Sequence, residues 1–221
     1  MGSTKHKILK SAIGLFNQKG LVNVRLQQIA DEAGISVGNL AYHYYSKKAI
    51  VLAIDSELGE ELELLLSIDQ NFPSLLDFDN HLGRYFFILN RYSFYFLDLL
   101  EIERAYPKLH SKRVNYVEKM IAQIQEWLLL NVEKEILRPE KMENQYQHLA
   151  ESIWMIITFW LTQRQVRGKT DIGEGHFKEF IWNQLIPLFT KAGWMEFEAV
   201  ILPQLKFYLD QSISLDFRKL P

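Results

Sequence analysis

Between residues 26 and 44 the chain reads LQQIADEAGISVGNLAYHY, and no other stretch restricts the fold as much. Leu26, Ile29, Ala30 and Ala33 recur at helical spacing and stop at Gly34, while Ser36 is placed to cap a second short helix running to about Tyr44. Each helix spans only about two turns, too few to persist alone in water. They must pack on one another across a turn of two or three residues. A short helix, a tight glycine-containing turn and a second short helix make a helix-turn-helix, whose second helix enters the major groove of DNA.

Both flanks supply the support that such a pair needs. Upstream, Ile8, Leu9, Ala12, Ile13, Leu15 and Phe16 form the apolar stripe of a first helix that Gly20 ends. Downstream, Ser46 caps a fourth helix carrying Ile50, Ile54, Leu58, Leu62 and Leu65. On a wheel of the third helix, Val37, Leu40 and Tyr44 face Ile29, Ala33 and Ile35. Gly38, Asn39, Ala41, Tyr42 and Tyr45 point the other way, with His43 at the edge. An amide, a phenol and a glycine that permits close approach suit base-edge and phosphate contacts.

Lys47 and Lys48 open the fourth helix, where the backbone dipole disfavours a cation by about 0.3–1 kcal/mol. Free N–H groups at a helix start, joined by two ammonium groups, form a clamp for a phosphate. Charge agrees with this. Residues 1–50 hold seven Lys/Arg against two Asp/Glu, a balance of +5, whereas the other 171 residues hold 18 against 25, or −7, within a chain whose net charge is −2. A basic segment by itself can equally be a solvated helix face, so the pattern and not the charge selects nucleic acid.

The stretch ILKSAIGLFNQKGLVNVRLQQIADEAGISVGNLAYHYYSKKAIVLAI, residues 8–54, resembles the DNA-binding head of TetR-family transcriptional regulators. The resemblance rests on the first helix ending in KG, on IADEAGIS, on GNL, on the aromatic-His-aromatic patch and on SK. It implies an all-α chain: a three-helix head with a helix-turn-helix, joined by a fourth helix to a larger helical body. Residues 1–48 are expected to form the DNA-binding domain and 49–221 the ligand-binding and dimerisation domain. The DNA-facing set is Arg25, Ser36, Val37, Gly38, Asn39, Tyr42, His43, Lys47 and Lys48. Val24 and Arg25 stand where the family usually has threonines, and Ala41 where a tyrosine is usual.

Beyond residue 67 the pattern yields architecture only. SIDQNFPSLLDFDN predicts a break, a fifth helix begins near Leu82, and further helices are predicted at about 93–106, 108–134, 140–167, 175–190 and 194–211, with Pro187 kinking the fourth of these. Of the 29 aromatic residues only four lie in the first 50. Segments such as GRYFFILNRYSFYFLDLL carry aromatics on more than one helical face, which suits a ligand cavity, a subunit interface or a thick core. The family resemblance implies both of the first two. The expected cavity residues are Tyr85, Arg91, Phe94, Asp98, Tyr116, Met120, Trp127, Trp154 and Thr158. The expected dimer contacts, on 146–167 and 175–190, are Ile153, Ile157, Trp160 and Leu161. Few ionisable groups interrupt 85–97 and 152–163, so the effector is expected to be apolar or amphipathic, with Arg91 able to pair one carboxylate.

Catalysis finds no support. The six histidines show no metal-ligand spacing, no G-x-S-x-G occurs, GEG at 173–175 lacks a third glycine, and there is no cysteine. No metal or cofactor is expected. Nor is a membrane partner, because no apolar run of about 18 residues occurs and the N-terminus has no signal-peptide core, which points to the cytoplasm. The expected partners are double-stranded DNA with a pseudo-palindromic operator, a small effector and a second copy of the chain. A DNA-bound structural or division-regulating protein with the same head and no effector is the alternative.

Overall fold

Local capping sets the head. In the computed structural model, which describes residues 3–67, 74–169 and 173–210, Ser3 opens α1 (Thr4–Lys19) by accepting from the His6 N–H. Gly20, at φ +76°, closes it by donating its N–H to the Phe16 carbonyl. A glycine takes this left-handed backbone without the strain that a Cβ would add. In α2 (Leu26–Glu32) the Arg25 N–H donates to Gln28 Oε1 at 2.8 Å. Ser36 Oγ accepts from the Asn39 N–H to start α3 (Val37–His43), and Ser46 Oγ accepts from the Ala49 N–H to start α4 (Lys47–Ser67). Ile8, Phe16, Ile29, Leu40, Ile50 and Ile54 meet in the middle, all fully buried.

In the body, α5 (Leu75–Arg91) begins seven residues before the expected start. The aspartates of 67–80 suggested a break, but Ser74 caps a helix there and Leu75, Phe78 and Leu82 form its buried stripe. The rest of that predicted break, 68–73, lies outside the described residues. The helix expected at 93–106 is two helices, α6 (Ser93–Leu97) and α7 (Leu99–Ala105), hinged at Asp98. A turn over Pro107–Leu109 leads into α8 (His110–Glu133). Next, α9 (Gln145–Val166) starts later than predicted, because Asn144 takes a left-handed backbone at φ +61° and the Tyr146 N–H donates to the Glu140 carboxylate; before it, Arg138 N–H donates to the Leu188 carbonyl and Thr190 N–H to that of Ile136. Pro187 does not kink α10 (Glu174–Leu185) but falls in the 3-10 turn that ends it. The last helical run breaks into α11 (Lys191–Glu196), a π turn at Phe197–Ile201, and α12 (Leu202–Asp210).

Aromatic packing dominates the body core. Phe78 stacks on Trp127 at 4.0 Å between ring centroids and meets Trp182 edge-on at 5.6 Å. Each such side chain contributes about 1.5–3 kcal/mol by burial. A buried ion pair crosses this core. Lys178 Nζ lies 2.7 Å from Asp79 Oδ2 and 2.8 Å from Glu174 Oε1, and Trp182 Nε1 donates to the other Asp79 oxygen. The chain is therefore all-α, with a helix-turn-helix head and a larger helical body, and among the described residues no helix is long and apolar enough to cross a membrane.

Candidate nucleic-acid interface and body cavity

On α3 the two predicted faces separate. Leu40 is buried, and Val37 and Tyr44 are half-buried against the core. Gly38, Asn39, Ala41, Tyr42 and Tyr45 face solvent, with His43 edge-on to the Tyr42 ring at 5.2 Å. A Cβ at Gly38 would touch only Ser36 Oγ, at 3.9 Å, so nothing inside the protein demands glycine there. Ser36 and Arg25 are exposed at the N-termini of α3 and α2. Lys5, Lys7, Lys10, Lys19, Arg25 and Lys48 are all exposed, which leaves the basic charge of the head open to a polyanion. On α3, Val37 turns inward, because it shares the Leu40 side of the helix.

Lys47 needs a correction. Its ammonium does not stand free at the surface: it donates to the carbonyl oxygens of Leu21 (2.9 Å), Val22 (3.2 Å) and Val24 (3.0 Å). These are the carbonyls of the turn between α1 and α2, which have no helical partner. Partial burial pulls the Lys47 pKa down, and the carbonyl dipoles oppose that pull by favouring the charged form. A lysine at the positive end of a helix is thus explained within the protein, and it fixes the segment leading to Arg25. Lys48 stays exposed, its ammonium 6.0 Å from the Tyr106 ring at the end of α7.

A cavity of about 110 Å³ lies in the body where α4 to α9 meet. Five predicted residues line it: Tyr85, Tyr116, Met120, Trp154 and Thr158. The other four do not. Arg91 pairs with Glu61 at 2.8 Å, Phe94 packs on Phe16 at 5.1 Å, and Trp127 is held in the core by Phe78. Asp98 occupies the α6–α7 hinge, its carbonyl accepting from the Glu101 and Ile102 N–H groups. Sequence reasoning missed Leu58, Gly59 and Leu62 of α4, and Tyr95 and Phe96 of α6. The fourth-helix stripe was the available signal, since Leu58, Leu62 and Leu66 continue it past the head. At Gly59 a Cβ would sit 2.7 Å from Lys112 Nζ and 2.9 Å from the Tyr116 hydroxyl, so the glycine lets α4 approach α8 there.

Asp55 and Arg113 beside the cavity are matched internally. Tyr95 donates its hydroxyl proton to Asp55 (2.5 Å), Arg113 Nη2 donates to Tyr95 Oη (2.7 Å), and Arg113 and His110 both contact the Glu103 carboxylate. Tyr116 donates to Glu63 at 3.2 Å. Burial, reinforced by Asp55, raises the Tyr95 pKa, and burial alone raises that of Tyr85. The Tyr85 hydroxyl is buried and has no hydrogen-bond partner.

A short segment ties this cavity to the head. Asn17 of α1 donates through Nδ2 to the Arg91 carbonyl and accepts through Oδ1 from the Phe94 N–H, both at 3.0 Å. These groups belong to the α5–α6 break, where helical partners are missing. Tyr95 and Phe96, one and two residues on, form cavity wall.

The predicted dimer contacts also need correction. Ile153 (0%), Ile157 (2%), Trp160 (1%) and Leu161 (0%) are buried within the protomer itself, with Trp160 packed against Phe177 and Phe180. The apolar residues that α9 leaves in solvent are Met155 (48%), Phe159 (38%) and Val166 (82%), and α10 exposes Phe180 (37%).

Residues 8–54 match the family described as bacterial regulatory proteins, tetR family, and residues 58–190 match the TetR family described as bacterial transcriptional repressor. IcaR of Staphylococcus aureus strain Newman, a negative transcriptional regulator of the biofilm operon icaADBC, is 25% identical over 197 residues, covering 85% of this chain and 99% of that protein. RutR of Escherichia coli K12, an HTH-type transcriptional regulator, is 41% identical over 54 residues, which are 24% of this chain and 26% of RutR. Matches of this head-only kind span about a quarter of the relative's own length. Among solved structures, a TetR-family transcriptional regulator from Marinobacter aquaeolei VT8 superposes with a TM-score of 0.80 at 25% identity, covering 94% of this chain and 99% of that one.

Proposed function

The chain belongs to the TetR family of bacterial transcriptional regulators, and from that premise we propose that it represses transcription as a dimer whose two heads grip a pseudo-palindromic operator and let go when a largely apolar small molecule fills the body cavity. Residues 1–48 are the DNA-binding part and 49–221 the ligand-binding and dimerisation part. The observation that carries the reading is the outer face of α3, where Gly38, Asn39 and Tyr42 stand exposed with no task inside the fold.

Asn39 and Tyr42 offer an amide and a phenol to base edges. Gly38 admits the DNA backbone closely, and Arg25 and Lys48 supply phosphate contacts on either side. Two heads would meet successive major grooves at centres about 34–36 Å apart. Dimerisation through the exposed apolar face of α9 and α10 would set that separation, and an effector that favours another separation lowers DNA affinity by a coupling of about 1–3 kcal/mol. The cavity supports this over a DNA-bound structural role without an effector, which gives a body no reason to enclose space next to α4 and α6.

Selection of bound duplexes from a random pool tests the operator claim, and recovery of half-sites in inverted repeat is the expected result. Enrichment of a single unrepeated site would refute the two-headed model. Loss of that binding on adding apolar compounds tests the effector claim.

A further inference from the structure

Resting on the DNA-binding reading above, we propose that the base pairs facing α3 in each half-site are A·T, with Asn39 pairing an adenine and Ala41 and Tyr42 contacting thymine methyl groups. The chemistry that α3 turns outward is the first argument. Val37–His43 contains no Arg, Lys, Asp or Glu, and its exposed members are Gly38, Asn39, Ala41 and Tyr42. In the major groove guanine shows two acceptors, O6 and N7, and is met most often by Arg or Lys, while cytosine shows a donor that suits Asp or Glu. Neither kind of partner stands on this face.

Asn39 is the second argument. Its backbone N–H donates to Ser36 Oγ at 3.1 Å, which fixes the residue in the first turn of α3, the part of a recognition helix that meets base edges. Its side chain is exposed, and among the described residues the amide group has no hydrogen bond within the protein. That amide holds an acceptor and a donor side by side. Adenine presents the complement, a donor at N6 beside an acceptor at N7, whereas on guanine the amide oxygen would face a second acceptor. Gly38 adds no side chain ahead of Asn39, and a Cβ there would touch only Ser36 Oγ at 3.9 Å, so the first turn is free to settle close to the bases.

Past Asn39 the face is largely apolar. Ala41 offers a methyl group, and Tyr42 offers a ring that stands edge-on to the half-buried His43 at 5.2 Å. Tyr42 lies three residues beyond Asn39, about 4.5 Å along the helix, and successive base pairs are about 3.4 Å apart, so the two side chains address neighbouring pairs. Thymine alone carries a methyl group in this groove, and apolar side chains gain by covering it. Arg25 is the competing reader: it belongs to the DNA-facing set, but it caps α2 and stands outside α3.

Half-sites are selected from random duplexes with the full-length protein. The resulting operator is then rebuilt with thymine replaced by uracil, which lacks only the methyl group, or with adenine replaced by 7-deazaadenine, which lacks the N7 acceptor. Fluorescence anisotropy at fixed salt gives the affinities of the native protein and of Asn39→Ala. Inverted repeats with neighbouring A·T pairs in each half-site are expected. For the native protein one 7-deazaadenine should cost about 3- to 10-fold and one uracil about 3-fold. Asn39→Ala should lose about 5- to 100-fold on the operator, keep the native melting temperature and become insensitive to 7-deazaadenine. If A·T pairs are selected for duplex shape alone, neither base analogue nor Asn39→Ala changes the affinity, and that result overturns the proposal. An inverted repeat of G·C pairs that Arg25→Ala no longer selects also overturns it, transferring base reading to Arg25 while the DNA-binding reading stands. Failure to bind any duplex would refute the DNA-binding reading and this proposal with it.

Discussion

Replacing Lys47 with methionine keeps the aliphatic stem and deletes the ammonium that holds the carbonyls of Leu21, Val22 and Val24. A hydrogen bond from a charged donor is worth about 1.5–3 kcal/mol when well buried. Here two of the bonds are part-buried and one is exposed, so the freed carbonyls recover much of their loss from water. The sum is about 2–3 kcal/mol, and relief of the cation from the start of α4 returns about 0.5 kcal/mol, leaving about 2 kcal/mol of destabilisation. For a chain of this length that lowers the melting temperature by about 4–8 °C. Circular dichroism follows the melt, and fluorescence anisotropy on labelled operator DNA follows affinity across a salt series. Because the ammonium faces inward, Lys47→Met should weaken binding through a displaced Arg25 segment while the slope of log K against log salt stays unchanged. Lys48→Met should do the reverse, sparing the melt and flattening the slope by about 0.9, the value for one phosphate contact. A Lys47→Met protein that melts like the native one and loses about 0.9 of slope would return Lys47 to the DNA backbone and refute the reasoning.

Three further outcomes are expected. Met155→Glu combined with Phe159→Glu should convert the dimer to a well-folded monomer in sedimentation velocity, whereas Trp160→Ala should cost about 3–5 kcal/mol of stability through a core cavity; a double variant that sediments as a dimer removes this face from the interface. His81 is buried and its pKa is pulled down to about 3, chiefly by desolvation and then by Arg84, with a hydrogen bond to Gln123 opposing. The unfolded chain therefore binds the proton first, so stability present above about pH 6.5 falls by about 2 kcal/mol on acidification to about pH 5; denaturant midpoints for His81→Phe should lose that slope, and an unaltered slope contradicts the assignment. Asn17→Ala should raise the exchange rate of the Phe94 amide by about tenfold, since its acceptor is gone; unchanged protection in hydrogen exchange would show that Asn17 does not hold α6.

Where an element is defined by its own few residues, the sequence disclosed it. Ser36, Ser46, Gly20 and Gly34 fix the ends of the head helices through bonds spanning three or four positions, and the turn of the helix-turn-helix fell where Gly34 put it. Lys47 was legible as an anomaly and not in its solution, because its acceptors lie 23 to 26 residues away and converge only once α1, α2 and α4 have packed. The start of α5 was hidden by polar residues: Asp79 looked like loop material and is instead buried by its bonds to Lys178 and Trp182, 99 and 103 residues later. In the body, large apolar residues at helical spacing do not say which neighbour they meet. Trp127 and Trp154 lie on successive long helices, yet one stacks in solid core and the other faces the cavity. For the same reason Trp160, Ile153, Ile157 and Leu161 of α9 proved to be ones a protomer covers by itself, and the exposed face belongs to Met155 and Phe159.

The pair of hydrogen bonds between Asn17 and the α5–α6 break also bears on how freely such a head can be exchanged. Cutting the chain after residue 48 and grafting 1–48 onto another body carries Asn17 away from the Arg91 carbonyl and the Phe94 N–H, and Phe16 away from the Phe94 ring. A chimera made that way would still present α3 to DNA but would meet a foreign α6 with the wrong polarity, so operator recognition would transplant while responsiveness to the new body's effector would not. Grafting the head together with residues 91–94, or changing residue 17 to suit the recipient, is what modular use of this head requires.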